Sequence, residues 1–314
     1  MIFADAKLLD FSERLDPMTV KELRQGLRAR KFVIPFLAIH IFMIAGCAFE
    51  YLYVLREGQT SLSAGDAELV SEHGFLFWSV AYFMLLFVIP VTRFFDLQQE
   101  FNGRNAELLL ISGLSRWRIV RGKWMMSMAL SGLIFISIMP YLLLRYFLGG
   151  FELLQHMLMA MGLLLNNAAF TSLVIGASAY RAYLGRIMLM IAGAGVLVII
   201  LVSPVILGLV TINESGNWWI PLMIFVNLIP ASLFFCILGL QMARVKLRTF
   251  EDPYDPAPGS QVVILYLFAP LLIGIPAVLT WGPGGILASL FFTWIAMNID
   301  PPPKKGKRAF YAQH

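Results

Sequence analysis

Charge is what this sequence has least of. Asp, Glu, Lys and Arg make up only 14% of its 314 residues, while 59% are hydrophobic. Soluble domains run closer to a quarter charged and half apolar, so the composition argues against a water-soluble globule. Cysteine is nearly missing too. Cys47 and Cys236 both lie inside apolar runs, where they act as small apolar residues and no disulfide framework is expected. The four histidines, His40, His73, His156 and His314, fall in unrelated segments, with no HExxH and no CxxC. There is no phosphate-binding loop: Gly122-Lys123 is followed by Trp124, and Trp117 stands where the first glycine of that motif belongs. Paired carboxylates deep in an apolar run are absent as well, since Glu50 and Glu152 sit toward the outer ends of theirs. That weakens a proton-coupled carrier, which needs an ionisable relay inside the bilayer. These absences point away from an enzyme, and no metal or cofactor is expected on the chain itself.

What is present is blocked hydrophobicity. Mean hydropathy is +0.76, and the apolar residues fall into runs of the length a hydrocarbon core of ~30 Å requires. The expected fold is all-α: a polytopic integral membrane helical bundle of about eight transmembrane helices. The spans lie near residues 32–55, 74–92, 124–147, 152–178, 186–211, 218–242, 261–281 and 284–299. The last is short and can be read as a span or as a re-entrant hairpin with the seventh. Residues 1–31 form a cytoplasmic lead-in, and 300–314 a basic cytoplasmic tail. The first 31 residues are mixed polar, so no secretory leader is expected.

Lys and Arg set the orientation. With the amino terminus inside, only Arg56 and Arg145 of the 24 fall on the outer side. Both termini are thus expected in the cytoplasm. The net charge of +5 reflects this asymmetry and not affinity for nucleic acid. The longest outer loop, Arg56–His73, carries Glu57, Asp66, Glu68 and Glu72.

Before the first span, Thr19 and Glu22 match a capping box. Val20, Leu23 and Leu27 then mark one helix face, and Lys21, Arg24, Arg28 and Lys31 the other. This reads as an amphipathic helix on the membrane surface, with a plain positive flank as the alternative. The inner loop Ala243–Ser260 holds EDPYDPAPG, whose prolines forbid helix and make either a stiff link or a contact for a partner. The deepest polar residues are His40, Asn166, Asn167 and Asn227. Structural glue between helices is the default for such amides; if a polar path exists, Asn166, Asn167 and Asn227 are the candidates to line it.

The loop 93–123 is basic yet greasy. Glu107, Leu108, Leu109, Leu110 and Ile111 read as a short apolar helix. Gly113 permits the turn that ends it, and Ser115 caps the next helix. Arg116–Lys123 then lead into the third span with their cations toward lipid headgroups. An apolar helix in a cytoplasmic loop needs a cover, either a partner groove or the lipid surface.

Two stretches carry a family resemblance: Asp16–Arg30, DPMTVKELRQGLRAR, and Ala106–Lys123, AELLLISGLSRWRIVRGK. Together with the order of parts, they resemble the permease subunit of ATP-binding-cassette transporters of the type-2 exporter class. Asp16–Arg30 is similar to the family's helix before the first span. Ala106–Lys123 is similar to its Leu-rich coupling helix, small-residue turn and Gly-Lys leading into the third span. The resemblance covers about the first half of the chain; the rest agrees only in hydropathy. It implies a separate ATPase subunit that carries ATP and Mg, a second permease copy or paralogue, a bacterial inner membrane, and export of a cargo. Two departures stand out. The family core commonly has six spans, and the loop Asn213–Asn217 leaves no room for the family's outer re-entrant helices. A membrane scaffold or signalling subunit attached to an ATPase, moving nothing, is the other reading.

Overall fold

The computed structural model describes residues 24–58, 77–95, 97, 116–148, 153–180, 182–195, 219–251, 259–280 and 283–299. Val20–Leu23 of the expected lead-in helix, Glu107–Ile111 with Gly113 and Ser115, residues 196–211 of the expected fifth span, Trp218, and the basic tail lie outside them. So do the prolines from Pro253 to Pro258.

Every described element is a helix, and no strand occurs among the described residues. In chain order these are α1 (Arg30–Gly58), α2 (Phe77–Val91), α3 (Arg116–Leu148), α4 (Leu153–Ser178), α5 (Tyr183–Gly195), α6 (Trp219–Glu251), α7 (Gly259–Leu279) and α8 (Pro283–Asn298). Five are long and apolar enough to cross a membrane: α1, α3, α4, α6 and α7. These mark an integral membrane protein. Helices α2, α5 and α8 are apolar but shorter in the described residues.

The helices alternate in direction. Trp124 of α3 donates its indole N–H to the Ala168 carbonyl of α4 at 3.1 Å, which sets an antiparallel register. Helices α4 and α6, two apart in that alternation, run parallel: Gly162 lies beside Leu228, Ser232 beside Asn166 and Gly176 beside Gly239. This pair is the centre of the bundle. Ala169, Phe170, Leu173 and Val174 of α4 meet Phe234, Phe235 and Leu238 of α6 in the largest buried cluster, which α7 closes through Val262, Tyr266 and Ala269. Tyr266 also donates to the Leu189 carbonyl at 2.8 Å, tying α7 to α5. Tyr266→Phe keeps the ring and loses that bond; thermal unfolding in detergent should show a loss of about 1 kcal/mol.

Helix α1 sits at the rim. Ile39, Met43 and Cys47 form its one inward stripe, at i, i+4 and i+8, while Ile34, Ile41 and Ile44 face outward. Before it, residues 24–28 are helical, a bend at Ala29 follows, and Leu27 is exposed. Helix α2 is irregular: Phe83–Val88 is a π-helical turn in which the Ile89 N–H reaches back to the Met84 carbonyl.

One boundary differs from expectation. The sixth span was expected to end at Met242, where charge begins, but α6 continues to Glu251. At ~1.5 Å per residue its 33 residues make a helix well beyond the ~30 Å apolar core. Nothing between Ala243 and Glu251 breaks a helix, and its cations are stabilised by neighbouring rings, as follows.

Candidate functional site at the basic end

Cations gather at one end of the bundle, where α2 and α4 finish, α3 begins and α6 overshoots. The backbone there is wound tight. The Thr92 N–H donates to both the Val88 and Ile89 carbonyls, and Arg93 and Phe94 follow with bonds to the Pro90 and Val91 carbonyls. Pro90 has no N–H to give, and Thr92 adds a second bond to the Ile89 carbonyl by donating its Oγ1–H at 2.6 Å.

Just beyond α2, Leu97 is fully buried. Its neighbours are Ile119 and Val120 of α3, Ile175 of α4 with Ala179, and Leu240, Ala243 and Leu247 of α6. The chain therefore leaves for residues 98–115 and returns from them at one apolar cluster, shared with the ends of α4 and α6.

Around this cluster the charges lie against aromatic rings. Arg186 is 2% exposed, and its guanidinium stands over Phe94, Phe95 and Tyr183 at 5.3, 5.4 and 5.7 Å. It joins the exit of α2 to the start of α5. Arg244 of α6 lies 5.8 Å from the Trp117 ring of α3. The Lys246 ammonium sits 4.5 Å from the Tyr180 ring. Burial pushes the Tyr180 phenol up to about 12, so it stays a neutral O–H donor at ordinary pH. Each such contact stabilises by roughly 0.5–2 kcal/mol, the more where water is excluded.

Lys123 was expected to face lipid headgroups along with Arg116–Arg121. It is 4% exposed instead, and turned into the bundle. The reason is position: Lys123 lies one turn before Ser127 on the buried stripe of α3, and Ser127 donates to its carbonyl at 3.0 Å. Arg118 and Arg121 do remain exposed. The sequence marked Arg186 only as an orienting charge, read Lys123 as the end of a Gly-Lys entry to the third span, and gave no sign of Leu97 or Tyr180. A usable signal was there: Phe94-Phe95 and Tyr183 flank the basic positions closely.

Of the three amides proposed for a path, Asn166 and Asn227 face other helices, while Asn167 bonds within its own. Asn166 Oδ1 accepts from Ser232 Oγ of α6 at 3.4 Å, and Asn167 Oδ1 accepts from Thr171 Oγ1 at 3.2 Å. Asn227 faces a different neighbour; its Oδ1 lies 2.8 Å from where a Cβ on Gly285 of α8 would stand. The coupling-loop residues Glu107–Ile111, Gly113 and Ser115 are outside the described residues, as are Val20–Leu23. Among the described residues no three His, Cys, Asp or Glu side chains cluster as a metal site would need.

The chain matches no family model, no curated protein and no solved structure.

Proposed function

We propose that this chain is the transmembrane subunit of an ATP-binding-cassette transporter of the type-2 exporter class. The observation that carries the reading is the shared anchor of Leu97 with Ile119 and Val120. Residues 98–115 hold the apolar stretch Leu108–Ile111, and both stems of that segment are seated in one cluster with α4 and α6. A push on the segment is therefore delivered to four helices at once, through packed side chains that do not compress.

In this reading two permease copies pair with two ATPase subunits, which bind ATP and Mg. ATP binding brings the ATPases together, the docked segments move, and the ends of α2, α3, α4 and α6 move with them. The bilayer is the bacterial inner membrane, with both termini cytoplasmic. Gentle solubilisation and affinity purification from the native host should recover an ATP-binding-cassette ATPase in near-stoichiometric amount. Purified complex free of any ATPase would overturn the assignment.

The scaffold or signalling reading has one observation of its own. Asn166 and Asn167, the best candidates to line a path, are buried and bonded within a protomer. A complex that hydrolyses ATP without moving any solute between vesicle and medium would favour it.

A further inference from the structure

We propose that Arg186 is a positioning residue that fastens the start of α5 to the exit of α2, so that α5 moves with the stem of the 98–115 segment. The joint itself stands on packing; what it transmits rests on the docking proposed above.

A cation inside an apolar bundle is stable only where something replaces its water. Arg186 is 2% exposed, and the rings around it come from two stretches of chain. Phe94 and Phe95 belong to the exit of α2, while Tyr183 lies in the first turn of α5 with Arg186 itself. The rings also meet one another edge-on, Phe94 with Phe95 at 4.9 Å and Phe94 with Tyr183 at 6.3 Å. Drawing the two stretches apart would take the ring faces away from a buried charge, and that opposes separation.

The joint is tied on both sides. Phe94 is 6% exposed and belongs to the central cluster with α4, α6 and α7. Three residues on, Leu97 is seated in the cluster of Ile119, Ile175 and Leu240. Between α2 and Phe94 the chain is a tight turn, with the Arg93 and Phe94 N–H groups bonded back to the Pro90 and Val91 carbonyls. On the side of α5, the Arg186 N–H donates to the Ala182 carbonyl at 3.1 Å, and Tyr266 holds the helix again at Leu189. Leu184, Met188 and Ile191 of α5 are exposed. A shift at Leu97 therefore reaches the foot of α5 through Phe94, Phe95 and Arg186.

Double electron–electron resonance on the full chain in lipid nanodiscs tests the joint. Spin labels go on Phe83→Cys of α2 and Leu184→Cys of α5, both exposed positions, in a Cys47→Ala, Cys236→Ala background. Arg186→Gln should broaden the distance distribution at least about twofold, and Arg186→Lys, which keeps a cation, should restore most of its narrowness. A width unmoved by Arg186→Gln, or as broad with lysine as with glutamine, overturns the joint. If Arg186→Gln fails to fold, Tyr183→Leu, which removes the most exposed of the three rings, makes the same comparison. In the complex with the ATPase, a non-hydrolysable ATP analogue should shift the distance from Leu184→Cys to Ile44→Cys on the rim helix α1. Arg186→Gln should cut that shift at least about twofold with the ATPase still bound. A shift kept in full overturns the transmission. A chain that recovers no ATPase overturns the docking and the transmission with it, while the widths between positions 83 and 184 still decide the joint.

Discussion

Leu109→Asp is expected to strip the chain of its ATPase while leaving it in the membrane. Leu108, Leu109, Leu110 and Ile111 are four consecutive apolar residues, so in the proposed docking helix they would cover most of the surface. In the proposed complex Leu109 enters an apolar groove on the partner. A carboxylate there must either lose its water or keep the groove open, and the cost is several kcal/mol. Affinity should fall by at least about 100-fold, the factor that ~3 kcal/mol corresponds to. The measurement is co-purification from detergent, with ATPase rate as the second readout and membrane insertion as the control. Leu109 falls between two apolar runs of the sequence, so insertion should be unchanged. A complex that survives with its normal ATPase rate would remove the docking role from Glu107–Ile111 and return that helix to the lipid surface.

Gly239→Ala should be the most damaging single methyl group in the described part of the bundle. A Cβ at Gly239 would lie on the backbone of Ser172, 2.5 Å from its carbonyl oxygen and 2.6 Å from the Leu173 nitrogen. Gly176 repeats the contact from the other side, with a Cβ meeting the Gly239 carbonyl at 2.6 Å. Backbone cannot rotate away as a side chain can, so α4 and α6 would have to part. Parting them also loosens the Ser172 Oγ bond to the Phe235 carbonyl, 3.2 Å across the interface. A loss of about 3 kcal/mol is expected, at the upper end of overpacking costs. Gly46→Ala in α1 is the matched control. Nothing lies within 4 Å of its added Cβ, and alanine favours helix by up to about 1 kcal/mol. Thermal unfolding of the two variants should differ clearly in sign. Equal melting temperatures would mean that α4 and α6 do not approach this closely in the membrane.

Both predictions show how unevenly this protein can be read from its residues. The apolar runs that became α1, α3, α4, α6 and α7 were plain, because partition into a bilayer depends on local hydrophobicity alone. The gathering of Arg93, Lys123, Arg186, Arg244 and Lys246 toward one end was plain for the same reason: charge avoids hydrocarbon wherever it stands in the chain. Hydropathy reports where an apolar run stops, not where the helix stops, so α6 runs on past Met242 to Glu251. Arg244 and Lys246 leave the apolar layer yet stay helical, lodged on Trp117 and Tyr180.

The candidate site was legible in part. Leu108–Ile111 stood out as greasy residues in a basic loop. The anchor at Leu97 did not, since one leucine after a span looks like any other until Ile119 and Leu247 are brought beside it. Asn166 and Asn167 could be recognised as deep amides, but not as one bonded across to Ser232 and one left with a bare Nδ2.

The sequence by itself pointed to a helical chain with about eight apolar runs of membrane length and with cations favouring one side; five of those runs form helices long and apolar enough to cross a membrane among the described residues. These follow from the transfer of each residue between water and hydrocarbon, a property that sums along the chain. Only the tertiary structure decided that α4 and α6 meet in backbone contact, that Lys123 and Arg186 turn inward, and that α2 carries a π turn. Those depend on which helix faces stand together, and van der Waals contact and hydrogen bonding act only at that range.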